Sequence, residues 1–167
     1  MKSCVLISFL LISISLFSQK STYGTVEQVI DGDTYKIYAS YKKVEASYKV
    51  RIVNVDAPER YFVAKRRPAQ EFADSIYKVV ENKLLGKEVF LTYYGKDNYG
   101  RLLAFISLNG ERIDRWMLVN GLAWATNEYH PKKGYKETAR LMNEAKSKKI
   151  GLWSGKEIVE PRKWRAK

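Results

Sequence analysis

The stretch YKVRIVNVDAPE, residues 48–59, decides how the rest of the chain is read. Val50, Ile52, Val53 and Val55 are β-branched and favour a pleated strand. Pro58 cannot donate to a sheet ladder, so the strand is expected to end at Asp56-Ala57-Pro58. Within such a strand Arg51, Val53 and Val55 share one face, and Val50 and Ile52 share the other. Arg51 interrupts an apolar run. It reads either as an exposed charge on an outer face or as a cation placed for chemistry. Asp56 reads either as a plain strand end or as a ligand.

Upstream, residues 23–29 read as a strand and Asp31-Gly32-Asp33 as a turn. Residues 34–39 form a second strand with Tyr35, Ile37 and Ala39 on one face. Residues 41–46 are polar and read as a hairpin loop. Downstream the period changes. Pro68 suits a first helical position, and Ala69, Phe72, Ala73, Ile76, Val79, Val80 and Leu84 recur at helical spacing up to Gly86. Residues 89–94 and 102–108 read as strands flanking the loop 95–101, and Asn109-Gly110 is a turn. A second helix carries Ile113, Trp116 and Met117 and ends near Gly121. A third covers residues 136–149, with Ala139, Leu141, Met142 and Ala145 towards the core. Three strands, a helix, two strands and then helices is the order of an OB-fold. The expectation is a mainly-β α+β domain, a five-stranded OB-fold barrel with three helices.

The chain has 167 residues, enough for one domain. Thirty Lys and Arg face 18 Asp and Glu, a net charge of +12, which points to a polyanionic partner. Cys4 and His130 are the only residues of their types. That excludes an internal disulfide, a Cys/His zinc site and a two-histidine nuclease. Chemistry must run on carboxylates and arginines, with or without a hard metal ion. Met1-Lys2 followed by 13 residues of apolar character and Ser, 5–17, is too short to span a bilayer, which takes about 20. Residues 1–18 are read as a secretory signal peptide, which places the protein outside the cell or in the periplasm. Residues 19–167 form a single domain, with its motifs in 23–153 and a basic tail in 154–167. Trp164 is expected to anchor that tail on the barrel.

Asp33 starts one strand and Asp56 ends another. If those strands pair antiparallel, both carboxylates reach the same end of the barrel and suit a hard cation such as calcium. As a separate reading, Asp31-Gly32-Asp33 is only a turn. Arg101 follows Tyr99-Gly100 at the start of the fifth strand and reads alternatively as a surface charge. Together, two acids, two arginines and Glu59 near strand ends of a basic barrel make a candidate site.

These residues carry a resemblance. Residues 29–34 (VIDGDT), 50–59 (VRIVNVDAPE), 97–104 (DNYGRLLA), 120–123 (NGLA) and 150–153 (IGLW) stand in the order found in the staphylococcal nuclease family. The resemblance implies a calcium-dependent nuclease on an OB-type barrel that cleaves DNA and RNA and leaves 3′-phosphate ends. It implies Asp33 and Asp56 as calcium carboxylates, with the backbone carbonyl of Ala57 beside them. The best-known member has Thr in place of Ala57. It implies Glu59 beside the attacking water as general base, Arg51 and Arg101 on the scissile phosphate, and Tyr99 and Tyr129 against the nucleic acid. Asn98 and Asn127 replace a Lys and a Tyr of the family pattern. The expected protein is a monomer without stable membrane association once the leader is cleaved. The alternative is an OB-fold module without catalysis that binds single-stranded nucleic acid.

Overall fold

The computed structural model describes residues 20–60, 68–128 and 135–166. The expected leader, the loop 61–67, Tyr129 and His130 lie outside the described residues.

Five strands build the barrel: β1 (Lys20–Asp31), β2 (Thr34–Tyr41), β3 (Val44–Ile52), β5 (Glu88–Lys96) and β6 (Leu102–Leu108). They pair antiparallel in the order β3-β2-β1-β5-β6. The barrel closes where β3 runs parallel to β6, with Val50 opposite Leu102, Arg51 opposite Leu103 and Ile52 opposite Ala104. β1 shows why closure is possible. Its first half pairs with β5 and its second half with β2, and register irregularities at Val26/Gln28 and Val29/Asp31 let it bend between them. The predicted OB-type α+β barrel is therefore present.

The alternation read in 34–39 holds: Tyr35, Ile37 and Ala39 are buried in the core. They meet Val26, Val50, Ile52, Leu91, Leu102, Ala104 and Ile106 inside the barrel. Each fully buried large aliphatic contributes about 1.5–3 kcal/mol relative to exposure. Helix α1 (Ala73–Leu84) turns Ala73, Ile76, Val80 and Leu84 inward and leaves Val79 exposed. Short strand β7 (Glu111–Arg112) forms a hairpin with β6 across Asn109-Gly110, and α2 (Ile113–Val119) follows. β4 (Val55–Asp56) pairs with β8 (Trp124–Ala125). α3 (Tyr135–Ser147) buries Thr138 and Ala145 and packs on α2. A 3-10 turn (Gly151–Ser154) and α4 (Pro161–Ala166) complete the chain.

Four sequence expectations need correction. The loop expected at 41–46 shrinks to Lys42-Lys43, because Tyr41 pairs directly with Val44. Both lysines take positive φ, 53° and 66°, the twist that a two-residue hairpin demands and that Asn or Gly usually signals. The helix expected from Pro68 starts at Ala73. Phe72 is left-handed at φ 67°, in a turn that the Ala73 N–H closes onto the Gln70 carbonyl at 3.1 Å, and the backbone N–H of Gln70 donates to the Glu59 carbonyl at 2.9 Å. The single strand expected over 48–55 breaks at Val53-Asn54, where Asn54 has φ 71°. The described residues hold four α-helices where three were expected, α4 being the addition.

The NGLA and IGLW motifs prove to be one structural unit. Gly121 and Gly151 have φ 62° and 58°, and a Cβ on Gly121 would lie 2.1 Å from the Ile150 carbonyl oxygen. Leu152 N–H donates to the Gly121 carbonyl at 2.8 Å. The two backbones touch at a distance that only glycine permits.

Candidate active site

The break after β3 creates the site. In a straight strand Arg51 and Asp56 would sit about 16 Å apart and on opposite faces. Left-handed Asn54 curls the chain back instead. Arg51 Nη1 donates to the carbonyls of Ile52 (2.6 Å) and Val55 (2.8 Å), and Nη2 lies 3.1 Å from Asp56 Oδ1. The same Nη2 lies 3.1 Å from Asp33 Oδ2. Arg51 is only 3% exposed, so it is not a charge on the outer face. A planar fork with fixed charge suits this task better than any other side chain.

The curl is fastened from behind. Asn54 Nδ2 donates to Asp114 Oδ2 at 3.4 Å, and Arg112 grips both oxygens of that fully buried carboxylate at 2.8 and 2.7 Å. The Asn54 carbonyl accepts Thr126 N–H at 2.9 Å.

Asp33 enters from the β1–β2 turn. Its Oδ1 accepts the Thr34 hydroxyl at 3.0 Å and its Oδ2 accepts the Ala57 N–H at 2.8 Å. β2 and β3 pair antiparallel with Thr34 opposite Arg51. That register brings Asp33 and Asp56 to the same end of the barrel. Gly32 permits the approach, since a Cβ there would lie 2.7 Å from the Ala57 Cβ.

Glu59 is positioned by Gln70, which sequence reasoning did not single out. Gln70 Oε1 accepts the Glu59 N–H at 2.9 Å, and Gln70 Nε2 donates to the Val159 carbonyl at 2.8 Å. One buried amide thus joins the Glu59 backbone to the C-terminal tail. Arg165 was also missed, being visible in the sequence only as part of a basic run. Its Nη1 donates to Asp56 Oδ1 (3.0 Å) and Glu59 Oε1 (2.5 Å), and its Nη2 to Asp56 Oδ2 (3.0 Å). Trp164 lines a crevice together with Gln70, Phe72, Trp124, Leu152 and Ile158.

Arg101 and Tyr99 come from the β5–β6 loop. Asp97 organises it: Oδ1 accepts the N–H groups of Tyr99 and Arg101, both at 2.9 Å, and Oδ2 accepts Arg101 Nε at 2.7 Å. Tyr99 is 83% exposed, so its ring is open to a partner. Arg101, Tyr99, Arg51, Asp33, Glu59 and Arg165 all line one cleft of about 760 Å³. Of the nucleic-acid contacts expected, Tyr99 is brought to the site.

The electrostatics are those of crowded acids. Burial, then the charge of Asp33, pushes the Asp31 carboxyl up to about 7. Burial also raises Asp56 and Glu59, while their hydrogen bonds from Arg165 oppose the rise. Burial works against the Arg165 charge, but Asp56 and Glu59 more than offset it and raise its pKa. Asp97 is held below the ordinary carboxylate range: burial works upward, and hydrogen bonds from Arg101 outweigh it.

Among the described residues, no three His, Cys, Asp or Glu side chains are gathered into a ready-made metal cage. The donor set does fit a hard cation. Every side-chain donor here is a carboxylate oxygen, and two carboxylates already converge on positive groups. A guanidinium bridging Asp56 and Glu59 stands where positive charge is called for. Carboxylates and arginines line this one cleft together, the charge pattern that phosphodiester chemistry uses.

The matches to known proteins agree. Residues 49–155 match the family model described as staphylococcal nuclease homologue. A protein of Escherichia coli O157:H7 named "Uncharacterized endonuclease" is 33% identical over 144 residues, covering 86% of this chain and 84% of its own. The Shigella flexneri "Micrococcal nuclease" is 29% identical over 151 residues, covering 85% and 79%. "Endonuclease YncB" of Bacillus subtilis is 34% identical over 136 residues, covering 78% and 61%. With the barrel, the acid–arginine cluster and these relatives in agreement, the chain belongs to the staphylococcal nuclease family and is an endonuclease acting on phosphodiester bonds.

Proposed function

We propose that this chain is a secreted, calcium-dependent nuclease that hydrolyses DNA and RNA and leaves 3′-phosphate ends. The observation that carries this reading is the convergence of Asp33 and Asp56 on one Arg51 nitrogen, 3.1 Å from each, beside Glu59.

Asp33, Asp56 and the Ala57 carbonyl would hold the ion. Bound there, calcium supplies positive charge to the phosphoryl oxygens and orders water. Glu59 takes a proton from the attacking water, a step typically worth about 10²–10⁴-fold. The water oxygen bonds to phosphorus, the bond from phosphorus to the 5′-oxygen breaks, and that oxygen takes a proton from solvent water as it leaves. The phosphate stays on the 3′ side. Arg101 reaches the phosphoryl oxygens from the cleft wall. Arg51, whose fork is engaged with the protein, contributes its fixed charge from the cleft floor. Tyr99, and Tyr129 outside the described residues, contact the flanking nucleic acid. Neither reading of the sugar nor of base identity is built into this set, which supports action on both polymers. The apolar stretch 5–17 supports export and loss of residues 1–18, and the protein then acts as a monomer free of the membrane.

The test is cleavage of single-stranded DNA, duplex DNA and RNA with calcium and with chelator, with end-group analysis and the Glu59→Ala and Arg101→Ala variants alongside. Calcium-dependent cleavage of all three, new 3′-phosphates and collapse in both variants is the expected result. Cleavage unchanged by chelator removes calcium from the mechanism. Sequencing the N-terminus of protein recovered outside the cytoplasm checks the leader.

A further inference from the structure

Both oxygens of Asp56 are occupied by guanidinium groups. Oδ1 accepts Arg51 Nη2 at 3.1 Å and Arg165 Nη1 at 3.0 Å, and Oδ2 accepts Arg165 Nη2 at 3.0 Å. Arg165 Nη1 also reaches Glu59 Oε1 at 2.5 Å, and Nη2 stands 4.0 Å from Glu128 Oε2. Arg165 is 109 positions from Asp56 and belongs to a six-residue helix at the end of the chain. A calcium ion takes carboxylate oxygens at about 2.3–2.6 Å. Arg165 already holds both oxygens, and a calcium ion on Oδ2 would stand beside its guanidinium as a like charge, so ion and guanidinium compete for Asp56.

The seat of Arg165 suits a removable group. Its side chain is 38% exposed on the cleft wall, so it can turn to water without unfolding anything. The helix carrying it makes no strand pairing among the described residues and is held by buried Pro161 and the Trp164 crevice. Arg51, by contrast, is only 3% exposed and bonded to two backbone carbonyls. One arginine is part of the scaffold and the other is a guest.

We propose that Arg165 is a built-in counter-cation that neutralises Asp56 and Glu59 in the metal-free protein and competes with calcium for them. Loading the ion displaces the guanidinium, so the C-terminal helix sets the calcium concentration at which the site fills. This rests on the calcium reading above. Without Arg165, Asp56 keeps its ion pair with Arg51, shared with Asp33, and carboxylates held this close repel one another.

The test is calorimetric titration of the purified protein with calcium, with thermal melting in chelator and in calcium, for wild type, Arg165→Ala, Arg165→Lys and Trp164→Ala. Hydrogen bonds between charged groups are strong enough that Arg165→Ala is expected to bind calcium about tenfold more tightly or better. The same variant melts lower than wild type in chelator and regains the difference in calcium, as mass action requires. Arg165→Lys falls between, because it keeps the charge and loses the fork. Trp164→Ala, which loosens the helix and leaves Arg165 present, shifts calcium affinity the same way to a smaller degree. Equal calcium affinity in wild type and Arg165→Ala, with an equal loss of melting temperature in both buffers, assigns Arg165 a purely structural role and overturns the proposal. Weaker binding in Arg165→Ala overturns it too. Absence of calcium binding in every variant overturns the calcium reading itself and this inference with it.

Discussion

The side-chain carbonyl of Gln70 accepts the backbone N–H of Glu59 at 2.9 Å, while the Glu59 carbonyl accepts the N–H of Gln70 at 2.9 Å. Left-handed Phe72 keeps α1 from beginning at Pro68, and this reciprocal pair ties the link before it to Glu59. The pair also fixes the residue proposed as base from a position that touches no substrate. Gln70→Leu keeps the volume and removes the side-chain bonds. The expected outcome is a loss of about 1–3 kcal/mol of stability from unsatisfied buried groups, with kcat lowered more than KM is raised. Urea unfolding and steady-state kinetics read the two effects. A variant with wild-type kcat would show that Glu59 needs no such support.

Arg51→Lys tests the fork rather than the charge. A lysine cannot hold two carbonyls and two carboxylates at once. Turnover at saturating calcium is predicted to fall about 10²-fold or more, and melting temperature to fall with it, because buried acids lose a partner. Turnover within about threefold of wild type would refute the two-carboxylate geometry as the basis of activity.

Gly32→Ala tests the approach of the β1–β2 turn to Ala57. The added Cβ would stand 2.7 Å from the Ala57 Cβ, with backbone-borne atoms on both sides. Overpacking of this kind costs about 1–3 kcal/mol. Because the turn carries Asp33, the predicted signature is weaker calcium binding together with lower stability. Titration calorimetry checks the first and thermal melting the second.

The Asp97–Arg101 pair predicts an acid limit. Asp97 has a folded pKa below its ordinary 3.8, so the folded state holds its proton less tightly than the unfolded chain. The stability it contributes is fully present above about pH 4 and is lost as pH falls through the lowered folded value. The stability difference between wild type and Asp97→Asn should be constant from neutrality to the region of the ordinary value and shrink below it. Chemical denaturation across pH 2.5–7 measures the difference, and a gap that widens on acidification would contradict the sign.

Much of this protein was legible locally. Tyr35, Ile37 and Ala39 announced a half-buried strand because side chains alternate with a period of two. The change to helical spacing at Ala73, Ile76, Val80 and Leu84 marked α1, and element order then led to the barrel. The acids, Glu59 and the two arginines stood out because they interrupt apolar strands or follow turns. Their grouping also resembled a known family.

What the chain's own order could not supply is contact between distant or oddly bent segments. Left-handed Asn54 turns a five-residue separation into a 3.1 Å ion pair between Arg51 and Asp56. Lys42-Lys43 and Phe72 take left-handed backbone without the Gly or Asn that usually signals it. Strand pairing on either side imposes this at Lys42-Lys43, and the turn leading into α1 imposes it at Phe72; the residues themselves do not. Arg165 carries no pattern of its own, because a basic residue in a basic tail reads as solvated surface until packing of Trp164 delivers it to Asp56 and Glu59. Local periodicity and element order pointed to the barrel, and the motif resemblance pointed to the family and to the proposed reacting set. Tertiary packing alone decided which charges meet, because burial and long-range closure set the distances at which opposite charges are worth more than their hydration.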